Sequence, residues 1–200
     1  VNFDAPNVPT HYVVRLTDDA LFNCPFTMAS DVGTIGLSAP EAEPVAWVRL
    51  APRPGWYDRT TSTGKAMTRI GTLQGTYLGI YQAKVCDYWK EETKVNCRFC
   101  SVGLNLGADD AGDKTVEEVM EVVRAARRES GITYVDFNTG HYTGETYLDI
   151  LEPYVRRIKE ETGLLVGIQT PPHHDLRRYD ALKKMGLSYV NAHNAQTKNE

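Results

Sequence analysis

Three of the four cysteines of this 200-residue chain, Cys86, Cys97 and Cys100, sit in Val85-Cys86-Asp87-Tyr88-Trp89 and Asn96-Cys97-Arg98-Phe99-Cys100-Ser101. Thiolates are soft donors that select iron–sulfur clusters or zinc over hard cations, and a two-residue spacer lets adjacent sulfurs reach one centre. The donor count separates the two chemistries. A closed structural zinc site or an electron-transfer cubane takes four protein ligands, whereas three cysteines leave one iron of a [4Fe–4S] cluster open to a further molecule. Zinc remains the alternative: Cys24 or a distant histidine would complete the site, and the chain would be a metal-stabilised, non-enzymatic binding module. Cys24 lies in Phe22-Asn23-Cys24-Pro25-Phe26, an apolar setting that reads as a buried thiol.

Other residue groups invite chemistry and carry less of it. His173-His174-Asp175 looks like a metal set, but adjacent side chains diverge on most backbones, and helix capping with solvation accounts for the trio. His141 divides evenly between an active-site residue and a loop residue. Thr63-Gly64-Lys65 fails as a phosphate loop, because Arg59 stands where the first glycine belongs and Ala66 where Ser or Thr belongs. Gly103-Leu104-Asn105-Leu106-Gly107 lacks the dinucleotide spacing and reads as a turn. Arg124, Arg127 and Arg128 read as a solvated helix face. No residue is assigned a catalytic role beyond metal and cofactor binding.

The elements that must position the cysteines are α/β. Residues 1–75 contain short β-like runs, Tyr12–Leu16 and Val45–Leu50, between turns such as Pro52-Arg53-Pro54-Gly55, and predict a small β-rich accessory region. Residues 76–200 alternate strands and helices. Thr76–Val85 predicts a strand leading into the cysteine loop. Thr115-Val116-Glu117-Glu118 opens a helix as a capping box, with Val116, Val119, Met120, Val123 and Ala126 at helical spacing and Gly131 closing it. Ile132–Phe137 predicts a second strand, followed by a helix to Thr162-Gly163 with Pro153 in its first turn or at a kink. Leu164–Ile168 predicts a third strand, Asp175 caps a helix closed by Gly186, and Leu187–Val190 predicts a fourth. This order implies parallel βαβ units and an α/β barrel or half-barrel. A complete barrel takes roughly 250 residues, so the expectation is a fragment or a short version. The cysteine loop then lies at the carboxyl edge of the sheet, where such folds place active sites.

Bulk properties narrow the function classes. With 42% hydrophobic residues the chain can bury a core, and 22 Lys and Arg against 26 Asp and Glu give a net charge of −4 with both signs scattered. Neither nucleic acid nor an anionic membrane surface is expected as a partner. No apolar run of about 18 residues and no signal-peptide pattern at Val1 is present, and three clustered cysteines suit a reducing compartment, so a cytoplasmic location is expected.

Given these residues, the chain resembles the radical S-adenosylmethionine superfamily, in its biotin-synthase-like branch. Members hold three cysteines in the loop after the first barrel strand, commonly as Cys-x3-Cys-x2-Cys with an aromatic residue before the last cysteine. Phe99 matches that aromatic residue and Cys97 and Cys100 the final pair; the first spacer here is ten residues. Asp136-Phe137-Asn138-Thr139-Gly140 resembles the end of the second strand, although His141 and Tyr142 replace the rest of the usual Gly-Gly-Glu turn. Gly167-Ile168-Gln169-Thr170-Pro171-Pro172 and Leu182-Lys183-Lys184-Met185-Gly186 resemble the third strand and third helix. Where relatives end the fourth strand on a polar or acidic residue, this chain has Asn191-Ala192-His193-Asn194. The resemblance spans about residues 77–192. It implies a partial (β/α) barrel in which Cys86, Cys97 and Cys100 hold a [4Fe–4S] cluster and S-adenosylmethionine binds the open iron. It implies further that Phe99 packs near the adenine, that backbone groups at Thr139 and Gly140 hold the methionyl end, and that Gln169 contacts cofactor or substrate. The expected partners are a small-molecule substrate and an electron donor such as flavodoxin or ferredoxin.

Overall fold

The computed structural model describes residues 27–31, 34–38, 46–49, 53–82, 84–90, 97 and 100–192. The chain divides into two compact units, Val1–Arg53 and Pro54–Glu200. In the first, β1 (Thr27–Asp31), β2 (Thr34–Ser38) and β3 (Ala46–Arg49) form an antiparallel sheet in that order. The Val45–Leu50 run is β3; Tyr12–Leu16 lies outside the described residues.

The second unit is mixed α/β around a five-stranded sheet ordered β4-β5-β6-β7-β8. β4 (Thr72–Gln74) runs antiparallel to β5 (Tyr77–Tyr81), and β6 (Tyr134–Asn138), β7 (Leu165–Thr170) and β8 (Tyr189–Ala192) add in parallel. Short helices α1 (Asp87–Lys90) and α2 (Val102–Asn105) precede the long α3 (Val116–Ser130) in the connection from β5 to β6. α4 (Tyr147–Thr162) connects β6 to β7, and α5 (Arg177–Lys184) connects β7 to β8. Among the described residues no helix is long and apolar enough to cross a membrane.

Strand alternation gives this sheet two unlike faces. Leu78, Val135 and Val166 stand in one register row and Ile80, Phe137 and Ile168 in another. All six are buried, in one core with Val119, Met120 and Val123 of α3 and Leu148, Leu151, Val155 and Ile158 of α4. The opposite face carries the rows Gly79, Asp136, Gly167, Tyr189 and Tyr81, Asn138, Gln169, Asn191. Parallel sheets are ordinarily apolar on both faces, so the polar second face marks where function is to be sought.

Residues 54–75, which composition groups with the β-rich half, pack with the second unit. Trp56 and Ile70 are fully buried in its core and Met67 nearly so, and Trp56 Nε1 donates to Ser130 Oγ at 3.1 Å. Pro153 is the seventh residue of α4, beyond the first turn. A proline there costs about 3 kcal/mol, and the buried Leu148, Leu151, Val155 and Ile158, at about 1.5–3 kcal/mol each, outweigh it. Asp175 does not occupy the cap of α5: its Oδ1 instead accepts the N–H of Arg177 at 3.1 Å, with Leu176 at the cap position.

The capping box on α3 forms as expected. Thr115 Oγ1 accepts the Glu118 N–H at 3.2 Å, Glu118 Oε2 accepts the Thr115 N–H at 2.7 Å, and Gly131 closes the helix at φ 61°. Glu118 is 1% exposed and also accepts from Thr63 Oγ1 and from Lys65 Nζ. Thr63-Gly64-Lys65 is therefore a turn bolted to α3, with Gly64 at φ 87° where L side chains are strained. Burial alone would raise the Glu118 carboxyl, but the Thr115 N–H, the Thr63 hydroxyl and the Lys65 ammonium prevail and hold it down at about 2. A carboxyl depressed in the folded state stabilises fully above its unfolded value, 4.5, and loses that contribution as pH falls towards about 2. The expected loss is roughly 3 kcal/mol. Urea midpoints measured from pH 5 to pH 2.5 should fall less steeply in Glu118→Gln than in the parent chain; parallel curves would refute this role.

Candidate metal centre

The carboxyl end of β5 leads within five residues to Cys86, which is buried and directly precedes α1. The turn after β6 closes over it. The His141 N–H donates to Cys86 Sγ at 3.3 Å, and the Asp87 N–H donates to the His141 carbonyl at 2.9 Å. Asp87 Oδ2 accepts from the N–H and hydroxyl of Thr143 at 2.7 and 3.1 Å. The rings of Tyr88 and His141 stack with centroids 4.5 Å apart, 4° from parallel. Gly140 makes this approach possible: a Cβ there would stand 2.5 Å from Cys86 Cβ and 2.8 Å from Cys86 Cα. The turn is held from beneath by Tyr142, whose Oη accepts the Gly140 N–H at 3.2 Å and donates to the Lys84 carbonyl at 2.6 Å.

The second arm of the loop carries the other two thiols. The Cys100 N–H donates to the Cys97 carbonyl at 3.0 Å. Ser101 then leads into α2, whose Gly103 lies under the indole of Trp89; a Cβ at Gly103 would meet that ring at 2.3 Å. At the loop's far end the buried Lys114 ammonium donates to the carbonyls of Tyr81 and Ala111 at 2.8 and 2.9 Å and pairs with Asp110 at 2.9 Å. Burial pushes Lys114 down and Asp110 opposes it. The loop is thus pinned to β5 at both ends.

The three thiols lie within electrostatic reach of one another. Burial raises the Cys86 thiol most, backbone N–H groups of Tyr88 and His141 oppose it, and an ionised Cys100 raises it further. Burial also raises Cys97, with Cys100 and then Cys86 adding to it. Thiols raised in this way keep their protons until a cation placed among the sulfurs displaces them. Among the described residues, no three His, Cys, Asp or Glu side chains converge tightly enough to hold one metal ion. The donor chemistry and the close fit of Gly140 on Cys86 suit a bound cluster.

Phe99 and Cys24 lie outside the described residues. Thr139 and Gly140 reach the carboxyl edge beside Cys86, but their N–H groups are engaged, Thr139 donating to the Gln169 carbonyl at 3.1 Å and Gly140 to Tyr142. What remains for a ligand is their carbonyls and the buried Thr139 Oγ1, which has no hydrogen-bond partner among the described residues; the buried Thr170 Oγ1 at the end of β7 is in the same state. Gln169 Nε2 donates to Asp136 Oδ2 on the polar face. His141, read from sequence as an even choice, is the residue whose backbone meets Cys86, a contact that no local sequence signal announces. His173 and His174 turn to Glu145: His174 bonds its carboxylate through Nδ1, and His173 Nδ1 stands 3.6 Å away. Arg124 is paired with Glu117 and Glu161 on the surface of α3 and α4.

Neither the family models, nor the curated proteins, nor the solved structures provide a match to this chain.

Proposed function

We propose that the chain is a radical S-adenosylmethionine enzyme in which Cys86, Cys97 and Cys100 hold a [4Fe–4S] cluster, and that β5 to β8 with their helices are the leading part of a (β/α) barrel. The observation that carries the proposal is Cys86 held at the carboxyl edge of a parallel sheet by the turn after β6, with Cys97 and Cys100 in the same connection from β5 to β6. The strand order supports the barrel reading: β5, β6, β7 and β8 pair in chain order with no reversal, as a barrel requires and a doubly wound sheet does not.

When bound, the cluster supplies the electron that splits S-adenosylmethionine into methionine and a 5′-deoxyadenosyl radical, which takes hydrogen from a small-molecule substrate. The chain's own residues position and shield. The His141 N–H on Cys86 Sγ stabilises the more electron-rich cluster, since hydrogen bonds to ligand sulfur are among the means by which proteins set cluster potential. Thr139 Oγ1, buried and without a partner among the described residues, offers a hydrogen bond to the methionyl end of the cofactor. Tyr81 and Tyr142, pushed upward first by burial, remain neutral phenols that wall the Cys86 side from water.

Anaerobic reconstitution tests the reading. The reduced protein should show a cluster resonance that shifts on adding S-adenosylmethionine, with 5′-deoxyadenosine formed under reductant. Zinc as the sole metal retained, with no response to S-adenosylmethionine, would return the thiols to a structural role.

A further inference from the structure

The polar face of the sheet holds a carboxyl group that the proposed metal centre does not use. Asp136 is 6% exposed, and its hydrogen-bond partners are neutral: Tyr189 Oη donates to Oδ1 at 2.5 Å and Gln169 Nε2 to Oδ2. Each carboxylate oxygen keeps a second acceptor position. A buried carboxylate is held at a free-energy cost unless a counter-charge stands beside it, and here no Lys, Arg or His among the described residues pairs with it. Its register neighbours on either side are Gly79 and Gly167; the Gln74 amide lies over the first and the Tyr189 ring over the second, 2.0 Å from where a Cβ would stand, so the space beside Asp136 at Gly167 is taken by that one ring.

Aromatic rings complete the surroundings. Tyr134 stacks on Tyr77 with centroids 4.6 Å apart, and Tyr189 meets Tyr134 edge-on at 6.3 Å. Burial first, with the Asp136 carboxylate adding to it, pushes the phenols of Tyr77 and Tyr189 upward, so they stay neutral and present electron-rich faces. A carboxylate beside tyrosine faces attracts organic cations from two directions, through charge and through the ring quadrupoles. Tyr189 is 40% exposed on strand β8, so turning this one ring uncovers the carboxylate.

We infer that Asp136, with Tyr134 and Tyr189, is a subsite for an alkylammonium group, and hence that the substrate is an amine. The substrate assignment rests on the radical-enzyme reading; the ammonium site itself does not. Gln169 acts here as a positioning residue, holding Oδ2 while the cation replaces the Tyr189 hydroxyl at Oδ1.

The test is a titration of the full chain with n-butylammonium, n-butanol and butyrate, followed by the tyrosine ring signals in NMR. Butylammonium should bind at least tenfold more tightly than butanol and butyrate should not bind. Asp136→Asn should bring butylammonium to the butanol level, and Tyr189→Phe, which removes the competing hydroxyl, should retain or strengthen binding. Equal binding of alcohol and ammonium to the parent chain overturns the proposal whatever the variants do. So does displacement of butylammonium by S-adenosylmethionine in direct proportion to its occupancy, which would assign Asp136 to the cofactor. 5′-Deoxyadenosine formation is measured separately on the same preparations: its absence beside selective ammonium binding removes the enzyme reading and leaves the site standing.

Discussion

Alanine in place of Cys86, Cys97 or Cys100 will lower the iron retained after anaerobic reconstitution from about four atoms per chain to fewer than about one, and will take 5′-deoxyadenosine formation below detection. A cubane held by three thiolates has no spare protein ligand, so losing one leaves two corners without protein anchorage. The fold should survive each change. Cys97 and Cys100 are only partly buried and stand outside the apolar core of β5, β6, β7, α3 and α4, so their truncation should move the metal-free thermal midpoint by no more than about 2 °C. Cys86 is buried, and its truncation should cost about 1 kcal/mol more through the small void left beside Gly140. Cys24→Ala should retain its iron. Iron analysis, circular dichroism and product chromatography on the four variants separate the alternatives. Under a structural zinc site, Cys97→Ala unfolds the protein in step with metal loss. Full iron in any of the three variants would remove that cysteine from the ligand set.

The features legible in the sequence are those written locally. Thr115 with Glu118 three residues on, and Gly131 after the last turn, fix both ends of α3 through contacts between near neighbours, and both ends fall where expected. The strands of the parallel sheet were readable from their β-branched and aromatic content, with ends displaced by one to four residues because edge pairing, which sequence does not display, decides where a ladder stops. Trp56, Met67 and Ile70 carry no periodicity, and only their burial against the rest of the second unit reveals that residues 54–75 belong there. The cysteine spacing carries the expectation of a metal. The clamp on Cys86 could not be read from the sequence, because the His141 and Thr143 contacts join residues more than fifty positions apart. Gln169 stood out in the sequence only through the resemblance, as a residue expected to contact cofactor or substrate. Its partner Asp136 passed unnoticed because a single acid in a strand has no local mark until register sets it beside Gln169 and Tyr189.

Gly140→Ala should be the most damaging change outside the cysteines. Gly140 does not adopt a left-handed backbone, so the demand for glycine comes from space alone. The new methyl would stand 2.5 Å from Cys86 Cβ, 2.8 Å from Cys86 Cα and 3.0 Å from Tyr81 Oη. Two of these neighbours belong to Cys86 and cannot rotate away, so the turn after β6 and the cysteine loop must separate by roughly 1 Å. Overpacking of this kind costs about 1–3 kcal/mol. The separation also lengthens the bond from the His141 N–H to Cys86 Sγ beyond hydrogen-bonding range. Cluster loading should therefore fall several-fold and the potential of whatever cluster remains should drop, while the thermal midpoint of the metal-free chain falls by several degrees. Gly112→Ala is the matched control, since its Cβ would meet nothing closer than 4.0 Å. Potentiometry and iron analysis on the pair decide the point: a Gly140→Ala protein with parental loading, potential and stability would show that the turn after β6 does not bear on Cys86. Loss confined to Gly140→Ala would tie the potential of the centre to a contact made across the sheet.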